Sequence, residues 1–192
     1  MANIYLSSTL LWNGSMEEIF DMVFQSGLDG IELWSQQFFY RKFDIDEFEK
    51  LAALYPLKNC IHSQSWDLNI SSVNDGIRKQ SVTEVKKSVE LAYQLGLDEV
   101  TVHPGHCTIS GIGVSYGAYL KESLREILEY AQKWKIDVSL EIMEKIPREF
   151  VTTMDAMKEV CGDMFDQFVY TLDVDFKYSS ELSSSDFQNS YQ

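Results

Sequence analysis

The stretch QSGLDGIEL, residues 25–33, returns at residues 94–102 as QLGLDEVTV. The two agree at Gln, Gly, Leu and Asp and in the apolar alternation that follows. In each, a glycine that suits a helix end precedes a short run of strand-forming residues. A repeated helix-to-strand junction is expected when a βα unit of about 35 residues recurs along a chain.

Working outward, the same alternation fills the sequence. Short strand patterns occur at ANIYLSS (2–8), DGIELW (29–34), LKNCIH (57–62), DEVTVH (98–103), IDVSLEI (136–142) and QFVYTLDV (167–174). Helical periodicity lies between them. Ser15 and Glu18 form a capping-box pattern ahead of SMEEIFDMVFQSG, and Asp44 with Glu47 repeats it ahead of DIDEFEKLAALY. Val82, Val85, Val89 and Ala92 share one face of a helix predicted from about Ile77 to Leu95. Further helices are predicted from Tyr116 to Lys135 and from near Pro147.

Strict alternation requires a parallel sheet, either doubly wound or closed as a β/α barrel. The internal repeat favours the barrel, and no G-x-G-x-x-G follows the first strand to favour a dinucleotide-binding sheet. The fold class expected is therefore α/β, a (β/α) TIM-type barrel of parallel strands with about six of its eight units. Residues 1–177 are assigned to this partial barrel. Residues 178–192, polar and Ser-rich without periodicity, are expected to be a disordered tail.

Composition narrows the function. The chain of 192 residues has 16 basic and 30 acidic side chains, a net charge of −14. This argues against nucleic acid or an anionic membrane as partner, since both require clustered Lys and Arg. Cys60, Cys107 and Cys161 are widely spaced and form no C-x-x-C, which fits a reducing cytoplasm. No leader or membrane-spanning pattern is evident, so a cytoplasmic location is expected.

All three histidines of the chain sit where strands are predicted to stop: His62, His103 and His106. Chemistry in β/α barrels gathers at the carboxyl ends of strands. Those ends here carry Ser7 and Ser8, Glu32 with Trp34, His62 with Gln64, His103 with His106, Glu141, and Asp173 with Asp175. Imidazoles and carboxylates are the ligand types of a divalent-metal site. Pro104 and Gly105 turn the chain directly after His103, whereas His106, beyond that turn, reads equally as solvated. Glu141 ends a strand whose alternate residues should be buried, and a carboxylate there costs free energy unless paired or metal-bound. Asp173 follows the same logic. Glu32 has a bland reading as a hydrogen-bond partner of a neighbouring strand. Trp34, Trp66, Phe38 and Phe39 suit either a substrate pocket or packing.

The segments GLDGIEL, IHSQSWDLNISSVNDGIRKQSV, LGLDEVTVHPG, LEIM and TLDVDF resemble, in order, the xylose-isomerase-like TIM barrels. That superfamily of sugar isomerases and epimerases also includes endonuclease IV. The resemblance implies that Glu141 and Asp173 are metal ligands and that Glu141 also moves a proton at the sugar carbon. It implies that His62 and His103 contact substrate, as in the sugar enzymes, or zinc, as in the nuclease. With Glu32, Trp34 and Trp66 they make up the expected substrate-binding set. The activity implied is aldose–ketose isomerisation or ketose epimerisation of a sugar, sugar phosphate or polyol through an enediolate. Mn²⁺, Mg²⁺, Co²⁺ or Zn²⁺ would assist.

The chain departs from the family in two places. Asp173 is followed by Val174, Asp175 and Phe176 rather than by D-x-x-H, which argues against an endonuclease-type phosphodiesterase. The seventh and eighth strands of a barrel of about 250 residues are absent. A truncated barrel, completed by self-association or by a second chain, is therefore expected. The alternative is a catalytically incomplete fragment or partner subunit.

Overall fold

The computed structural model describes residues 3–109 and 115–172. Six strands, β1 (Tyr5–Ser7), β2 (Gly30–Trp34), β3 (Lys58–His62), β4 (Glu99–Val102), β5 (Asp137–Ile142) and β6 (Val169–Leu172), pair in parallel. Their order across the sheet is their order along the chain. A doubly wound sheet would reverse at a switch point. This sheet does not, and with its helices it forms an incomplete α/β barrel.

The helices are α1 (Met16–Ser26), α2 (Ser35–Arg41), α3 (Ile45–Leu54), α4 (Asp75–Gln94), α5 (Tyr116–Trp134) and α6 (Met154–Cys161). The capping box at Ser15 and Glu18 forms in both directions, and the Asp44 side chain accepts from the Glu47 N–H. Three expectations shift. α4 starts at Asp75 because Asn74 caps the N–H groups of Gly76 and Ile77. The helix expected near Pro147 begins only at Met154, where Thr153 accepts from the Ala156 N–H. Pro147 lies in a turn instead, closed by the Glu149 N–H on the Ile146 carbonyl. Between β2 and the Asp44 cap, where the sequence pattern predicts no helix, lies α2, which has no side-chain cap to announce it.

Strand period decides where the core sits. Ile31, Leu33, Ile61, Val100, Val102, Val138 and Leu140 form one face of the sheet and are fully buried. They join Ile19, Phe20 and Val23 of α1, Val82, Val85, Val89 and Ala92 of α4, and Leu120, Leu124 and Ile127 of α5 in one cluster. Each such side chain contributes about 1.5–3 kcal/mol on burial. The intervening residues, Glu32, Trp34, Cys60, His62, Thr101, Ser139 and Glu141, take the other face, towards the barrel lumen. That face is polar, and across it Ser139 Oγ and Thr171 Oγ1 lie 2.6 Å apart. No helix among the described residues is long and apolar enough to cross a membrane. Asp173, Asp175, the boundary at 177 and the polar tail lie outside the described residues.

Candidate metal centre

Strands β3, β4 and β5 bring three ligand-type side chains together at their carboxyl ends. Glu141 Oε2 is 2.8 Å from His103 Nε2 and 3.4 Å from His62 Nε2. The two Nε2 atoms are 3.0 Å apart. His62 Nδ1 is 2.7 Å from the Ser63 carbonyl oxygen, which can only accept, so Nδ1 carries the proton. In the neutral ring Nε2 therefore presents its lone pair to the cluster. Trp34 stacks on the other side of His62 at a centroid distance of 3.9 Å, with planes 5° apart, and fixes the imidazole plane.

The electrostatics follow from burial and pairing. Burial pushes the Glu141 carboxyl up, but hydrogen bonds from His103 and His62 outweigh it and hold the group well below the usual carboxylate range. Burial pushes His62 down, whereas its bond to Glu141 and the charges of Glu32 and Glu141 raise it, and the net direction is up. Glu32, one register step deeper and opposite Cys60, is pushed up by burial, with His62 opposing and Glu141 reinforcing.

These atoms suit a divalent ion. Two imidazole nitrogens and a carboxylate oxygen lie within 4.8 Å of one another. Ligands at about 2.0–2.1 Å from a tetrahedral ion stand about 3.3 Å apart, close to the separations observed. The Nδ1–H bond from His62 to a backbone carbonyl is the outer contact that orients ligating histidines.

A cavity of about 400 Å³ opens beside His103. Ser63, Ser65, Trp66, His106, Arg148 and Glu149 are among its lining residues. Three of its buried polar atoms, Ser63 Oγ, Ser65 Oγ and Glu149 Oε2, have no hydrogen-bond partner among the described residues. Glu149 is 4% exposed in its side chain, and its other oxygen accepts from Arg148 Nε at 3.2 Å. Burial lowers the His106 pKa. A second hollow is lined by Trp12, Gln36, Tyr40 and Trp66, and the Trp12 and Trp66 rings are 4.7 Å apart.

The structure thus brings His62, His103, Glu141 and Trp34 into direct contact, with Trp66 5.6 Å from Trp34. Glu32 lies below them in the lumen. Phe38 is core, at 5% exposure, and Phe39 faces solvent. Ser8 is buried and its Oγ accepts from the Trp34 N–H, while Gln64 donates to Glu84. Ser63, Ser65 and Glu149 were not singled out from the sequence. The first two flank Gln64 directly after β3, a position that could have flagged them. Glu149 lies in an aperiodic loop and gives no such signal.

A parallel sheet in chain order with imidazoles and a carboxylate gathered at its carboxyl ends is a β/α-barrel architecture. The family described as xylose isomerase-like TIM barrel matches residues 20–175, and this chain belongs to it. An uncharacterised protein of Methanocaldococcus jannaschii is 26% identical over 186 residues, covering 94% of this chain and 68% of that protein. Another from the same organism is 28% identical over 114 residues, 57% of this chain and 38% of its own length. Among solved structures, a D-tagatose 3-epimerase-like protein superposes with a TM-score of 0.77 at 23% identity, over 90% of this chain. An L-ribulose 3-epimerase gives 0.74 at 20% identity over 95% of this chain. A 3-keto-D-glucoside 4-epimerase from E. coli gives 0.76 at 14% identity over 98% of this chain and 73% of its own. At these identities the likeness is one of fold. The chain spans 65% and 64% of the first two of these structures.

Proposed function

We propose that this chain supplies the divalent-metal centre of a sugar isomerase or epimerase. The observation that carries the reading is the convergence of His62, His103 and Glu141 at the carboxyl ends of three adjacent strands. These three side chains would hold the ion, and Asp173, which follows β6 in the sequence, is proposed as a further ligand. Sugar as the substrate class is supported by family membership and by the epimerases that share the fold.

A bound divalent ion would polarise the substrate's carbonyl and hydroxyl oxygens and make the neighbouring C–H acidic. The chain's own residues do the rest. Glu141 Oε2 makes the histidine contacts, and Oε1, which makes none of them, is assigned the proton transfer at the substrate carbon. The Ser63 carbonyl keeps the His62 proton on Nδ1, and Trp34 holds the ring in plane. The unpartnered Ser63, Ser65 and Glu149 oxygens are positioned for sugar hydroxyls, since a buried polar atom left unmatched costs about 1–3 kcal/mol. Trp66 borders the same cavity as an apolar wall.

The test is calorimetric titration of the metal-stripped chain with Mn²⁺ and Zn²⁺ beside Glu141→Gln, followed by turnover of a panel of ketoses. Micromolar or tighter binding that disappears in the variant is the expected result. Absence of binding, or equal binding by both proteins, overturns the metal centre. Binding without turnover of any sugar overturns the assignment of an activity to this chain alone.

A further inference from the structure

The LNISS segment and the HPGH turn, quoted together in the sequence, follow the paired strands β3 and β4 and interlock beyond them. Asn69 Oδ1 accepts from the His106 N–H at 3.2 Å and from the Ser71 N–H at 3.0 Å, while Asn69 Nδ2 donates to the His106 carbonyl at 2.9 Å. Ser71 Oγ donates to the Pro104 carbonyl at 2.5 Å. Gly105, between them, has φ +77°, and a Cβ there would stand 2.5 Å from Asn69 Oδ1 and 2.6 Å from Ser71 Oγ. Only glycine lets the two loops close this far.

The gripping segment is itself anchored from the helices behind it. Ser81 Oγ of α4 accepts from the Asn69 N–H at 2.8 Å, and Ser123 Oγ of α5 donates to the Ile70 carbonyl at 2.7 Å. Arg78 Nη1 donates to the Ser72 carbonyl at 3.0 Å. Asn69, Ser71, Ser81 and Ser123 are all buried. None of them reaches the His62–His103–Glu141 cluster. The Asn69 and Ser71 bonds end instead on Pro104 and His106, just after His103, and those of Ser81 and Ser123 end on the gripping segment itself.

We propose that Asn69 and Ser71 are positioning residues, a clamp that sets where the His103 imidazole stands relative to Glu141 and His62. This rests on the metal-centre reading given above, but its geometry holds in the metal-free chain as well. His103 directly follows β4, a strand only four residues long, and is itself followed at once by a proline and a left-handed glycine. Strand pairing alone does not restrain it from the loop side. The clamp supplies that restraint, and through it α4 and α5 are rigidly connected to one side chain of the centre.

Zn²⁺ calorimetry and the visible spectrum of bound Co²⁺ would be measured for wild type, Asn69→Ala, Ser71→Ala, Asn69→Asp and Asn74→Ala. Asn69→Ala and Ser71→Ala are expected to bind about tenfold more weakly, the scale of losses from outer-contact changes, with an altered Co²⁺ spectrum. Asn69→Asp keeps both accepted bonds but turns an oxygen towards the His106 carbonyl in place of the donor, so it should recover only part of the affinity. Asn74→Ala removes only the α4 cap, so it should melt earlier yet bind as wild type does. Wild-type affinity and spectrum in both alanine variants, or an equal loss in Asn74→Ala, overturn the proposal. If Asn69→Ala does not fold, Ser71→Ala decides. If wild type takes up no metal, the metal reading has failed and the clamp is judged from ¹⁵N-histidine spectra. Loss of the hydrogen-bonded His103–Glu141 signal in the alanine variants then supports it, and retention overturns it.

Discussion

Replacing Glu141 with glutamine keeps the size of the side chain and removes the charge that two histidines share. In the metal-free protein the consequence depends on pH. The Glu141 carboxyl is held low, so its contribution to stability is fully present above its unfolded pKa of about 4.3 and is lost as pH falls through the lower folded value. His62 is held high, so its contribution is fully present below about pH 6.5 and is lost as pH rises through the folded value. The two windows overlap between about pH 4.3 and 6.5, where the shared interaction is strongest. Removing one partner of a buried charged pair costs about 3–5 kcal/mol. His103 is 27% exposed in its side chain, so the lower end, about 3 kcal/mol, applies near pH 5.5. Above the raised His62 value the neutral ring turns a lone pair to Glu141, and only the 2.8 Å hydrogen bond with His103 is exchanged, worth about 1 kcal/mol. For a chain of this length each kcal/mol moves Tm by about 2–4 °C. Melting in EDTA at pH 5.5 should therefore show Glu141→Gln about 6–12 °C below wild type, and at alkaline pH above the raised His62 value about 2–4 °C below. A Tm difference that is the same at both pH values would refute the assignment of the pair.

Metal affinity should fall as pH drops from 8 towards 5, because protons compete for the raised His62 nitrogen, and competition calorimetry at four pH values reads the slope. Gly30→Ala would place a Cβ 1.6 Å from the Lys58 carbonyl oxygen, so β2 and β3 cannot pair in register, and the soluble yield and far-UV signal should collapse. Trp34→Leu removes the ring stacked on His62 while keeping apolar bulk. Its expected result is a metal affinity weaker by about tenfold with a Tm lowered by only a few degrees.

Much of this arrangement was written in local pattern. Strand alternation separates Ile61 from His62 and Leu140 from Glu141, and the barrel's polarity then assigns the polar member of each pair to one mouth. What local pattern does not carry is which mouth residues touch. The resemblance implies substrate, or zinc as in the nuclease, for His62 and His103 and metal for Glu141, and only the pairing of β3, β4 and β5 shows the three within 2.8–3.4 Å. The start of α6 was misplaced because Pro147 is a frequent first residue of helices, whereas Thr153 holds the actual cap. α2 went unseen because SQQFFYR begins without a capping side chain and is held by the burial of Phe38 and Gln37. Asp173 lies just beyond the last described strand residue, so its role rests on sequence pattern.

The alternation along the strands has a consequence for how such a chain can change over generations. In β2, Ile31 and Leu33 belong to the apolar layer, and Glu32 and Trp34 to the lumen. A one-residue insertion or deletion inside a strand exchanges these populations, driving a carboxylate under the helices and a leucine into the mouth. Folding and chemistry are thus spelled in the same reading frame, two letters to the word. Length variation is confined to the connections, and a new substrate preference has to be composed there, where a gained or lost residue shifts no other.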